Sequence, residues 1–216
     1  MRANRPLVAA VCMAFLAAPL AAQTRIAIVP FAGYGLPGVL AEDVPNDIHL
    51  EPAGALLLGA AIELGMSKNI GIAVGVNRTF SQKLDFVTGG SSAFEEDFTM
   101  TQIAGSIVIR PGGRLPSGAV SPLFIEVGGG ITLYTLGSAA FPASDFDASS
   151  PMAFVGAGYN IPMGPRATIQ IFGRAQMISS YSSQGLDDFN AAPPPTNVEG
   201  SNMLNFQFGA GLRVGR

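Results

Sequence analysis

The segment from residue 52 to residue 80 alternates between large and small side chains with a period of two. In its first half the even positions are mostly large and aliphatic, as in Leu56, Leu58 and Ile62, whereas the odd positions are mostly Ala and Gly. The run from 69 to 80 repeats the alternation after a short turn. Because successive side chains of a strand point to opposite faces, each run is predicted to be a strand with one large and one small face.

The two faces are distributed in the opposite way to those of a soluble sheet, which buries its large apolar residues and exposes polar ones. Here the second face is mostly Ala and Gly, with the carboxylate of Glu63 among them. Such a face suits the crowded interior of a narrow barrel, and the large aliphatic face then contacts lipid. This is the pattern of a transmembrane β-barrel.

Composition favours the same class. Only 12% of the residues are charged and mean hydropathy is +0.37, yet after the N-terminus no apolar run reaches the roughly 18 residues of a membrane helix. The 27 glycines fit close packing inside a barrel. A net charge of −3 gives no indication of a nucleic-acid partner.

Eight segments show the strand pattern, and an even count is usual for bacterial barrels. They are residues 25–35, 52–66, 69–80, 98–110, 122–136, 152–161, 166–177 and 203–214. Short links alternate with four long ones, 36–51, 81–97, 137–151 and 179–202, which hold nearly all of the acidic residues. The sequence therefore predicts an all-β, eight-stranded antiparallel up-and-down barrel, with short periplasmic turns and long acidic extracellular loops.

Strand parity assigns side chains to the two faces of the barrel wall. The residues predicted to face lipid are Leu56, Leu58, Ile62, Ile72, Val74, Ile125, Val127, Ile169, Ile171, Phe206 and Phe208. In the first strand, Ile26 and Ile28 compete with Val29 and Phe31 for the outer face.

The same parity sends Glu63, Glu126 and Arg174 into the interior. We expect Arg174 to lie between the two carboxylates, with Gln170, Gln176 and Gln207 as further partners, so that the three charges form a structural polar cluster that closes the lumen. The alternative is three separately hydrated groups.

The N-terminus has the features of a cleavable export signal. Arg2 and Arg5 precede an apolar core from 7 to 16, and small residues follow up to Ala22. We therefore expect a signal peptide over 1–22, a barrel domain over 23–216 and a location in the bacterial outer membrane. The only cysteine, Cys12, lies in the predicted signal, so the mature chain is expected to have no thiol chemistry.

The signal peptide, eight amphipathic strands and unequal loops resemble the small OmpA/OmpX-type outer-membrane β-barrels. The resemblance is one of pattern and extends to the barrel domain only. It implies a membrane-embedded barrel in contact with outer-membrane lipids and lipopolysaccharide.

Three functions remain open at this stage. The favoured one is a non-enzymatic structural or surface-interaction role, with an unknown ligand at the acidic loops and no cofactor. The second is a lipid A-modifying barrel enzyme using His49, the only histidine, which lies beside Asp47 and Glu51. The third is a narrow porin-like channel. Acid clusters at 95–97, 145–147 and 187–188 make divalent cations a further candidate partner, although none has the spacing of an EF-hand.

Overall fold

The structure is a computed structural model that describes residues 25–112, 121–137, 147–164, 166–191 and 197–215. The predicted signal peptide lies outside these residues, as does Asp145 of the loop acids. In the described part of the chain, no helix has the length and apolarity needed to cross a membrane.

The described part of the chain is almost entirely β-structure. The strands are β1 Arg25–Leu36, β2 Ala41–Asp43, β3 Ile48–Pro52, β4 Ala55–Gly65, β5 Ile70–Phe80, β6 Gln82–Thr88, β7 Ser91–Ile109, β8 Leu123–Gly137, β9 Ala148–Pro162, β10 Ala167–Ile178, β11 Glu199–Gly200 and β12 Met203–Gly215. A short 3-10 helix spans Val44–Asn46, and the helix α1 spans Gln184–Ala191.

Eight long strands form a closed antiparallel barrel, as predicted. In order around the wall they are β1, β4, β5, β7, β8, β9, β10 and β12. The first and last strands pair along most of their length, from Ala27 opposite Gly215 to Leu36 opposite Phe206, and this pairing closes the wall. Closure leaves no unpaired edge within the membrane, where backbone groups find no water.

The outer surface is an apolar belt. Of the residues predicted to face lipid, nine are exposed there, and Ile72 and Ile169 are half-buried on the same face. In β1 the outward residues are Ile26 and Ile28, whereas Val29 and Phe31 point into the barrel. Six outward positions along β5, from Ile70 to Phe80, span about 25 Å of membrane height at the usual strand tilt. This height matches the apolar band of outer-membrane barrels.

Two of the predicted long loops are instead strand extensions. β3 pairs with β6, and β6 pairs with the first part of β7, so the wall continues as a sheet beyond the apolar belt. Ser81, with φ of 52°, lies between β5 and β6 and introduces one extra residue opposite β7. Outward positions are even along β5, up to Phe80, and odd along β6, from Ser81 onward. This bulge marks the upper edge of the belt.

Candidate functional site

The barrel interior contains two separate ion-pair groups. At the end of the barrel where β1 begins and β12 ends, Glu63 accepts from Arg110 Nη2 at 2.6 Å and from Arg213 Nη2 at 3.3 Å. All three of these residues are buried. Further into the barrel, Glu126 accepts from Arg174, with Nη2 at 2.8 Å and Nε at 2.9 Å from the same carboxylate oxygen. Glu126 also accepts from the Ser106 hydroxyl at 2.6 Å.

This arrangement corrects the expectation that Arg174 lies between the two carboxylates. Among the described residues, Arg174 forms an ion pair with Glu126 and not with Glu63, and Glu63 is paired with Arg110 and Arg213 instead. The three predicted residues do line one cavity of about 30 Å³, together with Gln170 and Phe172. A cavity of that volume has room for about two water molecules. Gln170, which was expected to be a partner of Arg174, instead donates its side-chain amide to Asn160 at 3.0 Å.

Sequence reasoning missed the roles of Arg110 and Arg213. Arg213 occupies the same inward row of the last strand as Asn205 and Gln207, so parity alone indicates its direction. Arg110 directly follows β7 and continues the inward row of Ser106 and Val108. Both arginines contact Glu63, and this contact depends on how far three strands are shifted relative to one another along the barrel axis. No short sequence pattern encodes that shift.

Aromatic rings surround Arg174. Its guanidinium carbon lies 4.7 Å from the ring centre of Phe172, 5.4 Å from that of Phe154 and 5.6 Å from that of Phe31. Contacts of this kind stabilise a guanidinium most where water is scarce. Arg174 is thereby held by one carboxylate and three rings.

Each interior phenylalanine near this level lies opposite an inward glycine on the neighbouring strand. The register pairs are Phe31 with Gly59, Phe154 with Gly128, Phe124 with Gly158 and Phe172 with Gly209. A methyl group added at any of these glycines would overlap the facing ring. The glycines on the inward face therefore leave the space that the phenylalanine rings occupy.

A layer of side-chain amides crosses the lumen above Arg174. Gln102 on β7 and Gln176 on β10 exchange hydrogen bonds of 2.9 and 3.2 Å. Asn205 donates to Gln176 at 2.9 Å and Gln207 donates to Gln102 at 2.8 Å. All four side chains are buried. The direct link between β7 and β10, which are not neighbours in the wall, shows that side chains fill the lumen at this level.

An apolar cluster fills the lumen beyond the amide layer. It contains Phe98, Met100, Tyr134, Met152 and Ile178 from the barrel wall and Leu40, Tyr181, Leu186 and Val198 from the connecting segments. Tyr134 stacks on Phe98 and meets Tyr181 edge-on. The described connecting segments thus pack onto the mouth of the barrel and share one hydrophobic core with its wall.

The extension above the belt carries a row of carboxylates. Glu51 on β3 lies opposite Asp85 on β6, and Asp85 lies opposite Glu95 on β7. In the adjoining row, Lys83 donates to Asp97 at 2.6 Å, and this contact raises the pKa of Lys83. Like charges directly opposite each other destabilise a sheet. We call the surface formed by Glu51, Asp85, Glu95 and Asp97 the acidic face.

His49 lies on β3 near this face, between two carboxylates. Its Nε2 is 3.2 Å from Asp47 Oδ1, and its Nδ1 is 3.8 Å from Glu42 Oε2, beyond hydrogen-bond range. Within the described ranges, no three His, Cys, Asp or Glu side chains are grouped so that they could hold a metal ion.

No protein-family model matches the sequence, and the search of curated proteins finds no match either. The solved structures do match. Neisserial surface protein A (NspA) aligns at a TM-score of 0.51 and 14% identity, over 88% of this chain and 96% of that protein. OprG from Pseudomonas aeruginosa aligns at 0.47 and 12%, over 87% and 95%. Ail, the attachment invasion locus protein of Yersinia pestis, aligns at 0.45 and 15%, over 88% and 99%.

At sequence identities this low, the similarity concerns the fold. The fold described above agrees with it in its closed wall, its apolar belt and its filled lumen. The chain has the fold of the small eight-stranded bacterial outer-membrane β-barrels of the OmpA/OmpX-type class.

Proposed function

We propose that this protein is a non-enzymatic barrel of the outer membrane whose working part is the sheet that extends beyond the belt. The observation that carries the proposal is the acidic face. Three carboxylates in one cross-strand row reduce the stability of the sheet, and the charge of Lys83, which is bound to Asp97, acts on Glu95 at one end of the row. A ligand with positive charge would relieve this repulsion. The expected partner is therefore a cationic surface or polymer, held by charge complementarity.

The lumen supports this proposal over a channel. Two ion-pair groups, an amide layer and an apolar cluster follow one another along the axis. An interior of eight strands is just wide enough for side chains to fill. The extracellular surface is then the part of the molecule left to carry a specific role.

The enzyme alternative has one observation in its favour, the contact between His49 and Asp47. A carboxylate can orient a histidine that acts as a general base. We rank this alternative second, because the described residues give His49 no nucleophile partner and both of its ring nitrogens face carboxylates.

Attachment of intact cells to coated surfaces tests the proposal. Cells that express the wild type are compared with cells that express a Glu51→Gln, Asp85→Asn, Glu95→Gln variant, on polylysine, heparin and uncoated glass. We expect the wild type to increase attachment to polylysine and the variant to lose most of this gain, with no change on heparin. Added salt should weaken the gain, since exposed charges are screened.

The matched control is His49→Ala, which leaves the acidic face intact. We expect it to attach as the wild type does and to leave the acylation pattern of lipid A unchanged. Equal attachment of the wild type and the neutralised variant at equal surface levels would refute the role of the acidic face. A lipid A pattern that depends on His49 would establish the enzyme instead.

A further inference from the structure

The lipid-facing row of β5 contains a cation. Its outward side chains are Ile70, Ile72, Val74, Val76, Arg78 and Phe80. Arg78 is exposed, and within the part of the chain that the structure describes it makes no hydrogen bond or ion pair. An unpaired guanidinium in an otherwise apolar row requires an explanation from the surroundings of the barrel.

The position of Arg78 fixes its depth in the belt. It is the fifth of six outward residues from the end with the short turns, and it lies two residues below Phe80 and three below the bulge at Ser81. Two residues of a tilted strand rise about 5 Å along the membrane normal. An extended arginine side chain can bridge this distance and carry its charge to the level of the lipid headgroups.

The neighbours of Arg78 differ from those of the other cation nearby. Lys83, on the same outer surface just above the bulge, is neutralised by Asp97 at 2.6 Å. The cross-strand neighbours of Arg78 are Leu58 on β4 and Thr101 on β7. Thr101 is half-buried and faces outward, so its hydroxyl lies on the side of the guanidinium. The site thus combines a free cation, a hydroxyl and apolar side chains.

We propose that Arg78, with the hydroxyl of Thr101, binds a phosphate group of a lipid in the outer leaflet. A guanidinium presents two parallel N–H groups that match the oxygens of a phosphate. A charge on the lipid face is costly at the midplane and costs little near the interface, so Arg78 is tolerated only where an anion or water reaches its guanidinium.

A lipid phosphate suits this site better than a free phosphate ion. Leu58, Val76 and Phe80 surround Arg78 on the outer surface, and all three are exposed apolar side chains. Acyl chains cover such side chains while the headgroup meets the guanidinium. A free phosphate ion would gain nothing from these apolar neighbours. The inference rests on the membrane placement described above.

The test uses the full mature protein, refolded in detergent micelles. It is titrated with two fluorescent probes, lipid A that carries its phosphates and lipid A from which phosphatase has removed them. We expect Arg78→Gln to weaken binding of phosphorylated lipid A on the order of tenfold, the size of a lost hydrogen bond to a charged group. Arg78→Lys should retain part of the affinity. Phosphatase-treated lipid should bind the wild type and Arg78→Gln equally weakly.

Lys83→Gln is the matched control, because it removes a neighbouring cation that is already paired. It should leave the dissociation constant unchanged. Equal affinity of the wild type and Arg78→Gln for phosphorylated lipid A would overturn the site. Competition by inorganic phosphate at similar concentration would overturn the assignment to a lipid. Failure of the wild type to insert into vesicles would overturn the membrane placement instead. Circular dichroism of each variant shows whether it is folded, so that misfolding is not mistaken for any of these outcomes.

Discussion

Arg174 is the interior side chain whose removal should disturb the barrel most directly. Without it, Ser106 is the remaining hydrogen-bond partner of the buried Glu126 carboxylate among the described residues. Breaking a fully buried pair costs about 3–5 kcal/mol, and the cost is lower here because the side chain of Arg174 retains 16% exposure. We expect Arg174→Ala to lower the free energy of unfolding in urea, and Arg174→Ala with Glu126→Gln to recover part of the loss.

Arg166→Ala serves as the control for this pair, since Arg166 is exposed in a turn. It should leave the urea midpoint unchanged. Strictly additive effects of Arg174→Ala and Glu126→Gln would show that the two charges do not stabilise each other.

The lipid face gives a second prediction for a single side chain. Ile62 is exposed near the middle of β4, opposite Val74. We expect Ile62→Arg to cost about 2–4 kcal/mol in unfolding from lipid vesicles, because a cation at the midplane loses its hydration. Leu36→Arg, at the upper end of β1, should cost about 0–1 kcal/mol. Similar losses at both positions would contradict the assigned depth of the belt.

The direction of single side chains was largely predictable from sequence, and their partners were not. Leu58 and Ile62 are exposed on the outer face of the wall, and a period of two fixes that face once the strand is known. The contact of Glu63 with Arg110 and Arg213 depends on how far each strand is shifted along its neighbour. That shift is a property of the closed barrel as a whole.

At the scale of elements, the glycine–phenylalanine pairs determine how closely the strands approach. A methyl group at Gly158 would overlap both the ring of Phe124 and the backbone oxygen of Ile171. We expect Gly158→Ala to destabilise the barrel by about 1–3 kcal/mol in urea unfolding, the usual cost of overpacking. Gly164→Ala, where an added methyl group meets nothing within 4 Å, is the matched control. Equal stability of the two variants would contradict the close packing at Gly158.

Asp43 connects two of the segments above the belt. Its Oδ2 accepts from the Asn46 amide at 2.7 Å and from the backbone N–H of Asn197 at 2.9 Å. These bonds lower the pKa of Asp43 from its ordinary value of 3.8. A lowered pKa stabilises the folded state above pH 3.8, and the stabilisation is lost as the pH falls through the lowered value.

We therefore expect Asp43→Ala to increase hydrogen exchange at Asn197 and Val198 at neutral pH, with no change in the belt strands. At a pH well below the lowered pKa, the wild type and the variant should exchange at the same rate. A difference that persists in acid would show that the contact does not depend on the carboxylate charge.

The extension above the belt shows what the sequence pattern left undetected. Ile48, Leu50 and Leu84 point inward and alternate with polar residues, so a strand signal was present in the segments predicted as loops. For Leu84 the reversal of parity at Ser81 obscured it, because a positive φ is usual for glycine and gives no signal in a serine. For Ile48 and Leu50 the inward positions change from even to odd between Pro52 and Ala55. The eight membrane strands lack such a reversal within the belt, and their pattern was therefore readable.

At the scale of the whole molecule, the lumen layers predict a barrel that does not conduct ions. The ion pairs of Glu63 and Glu126, the amide link between Gln102 and Gln176 and the apolar cluster block the axis at successive levels. Ions would have to displace all of these layers together. We expect negligible steady conductance of the wild type in planar bilayers.

Removal of one layer should not open the lumen, because the others remain. Gln102→Ala with Gln176→Ala is expected to stay closed, although the direct link between β7 and β10 is lost. Side chains of the apolar cluster still fill the barrel above this level, and buried ion pairs still fill it below. A large, steady wild-type current would show that the layers move aside together and would establish the channel function. A current in the double variant alone would identify the amide layer as the barrier.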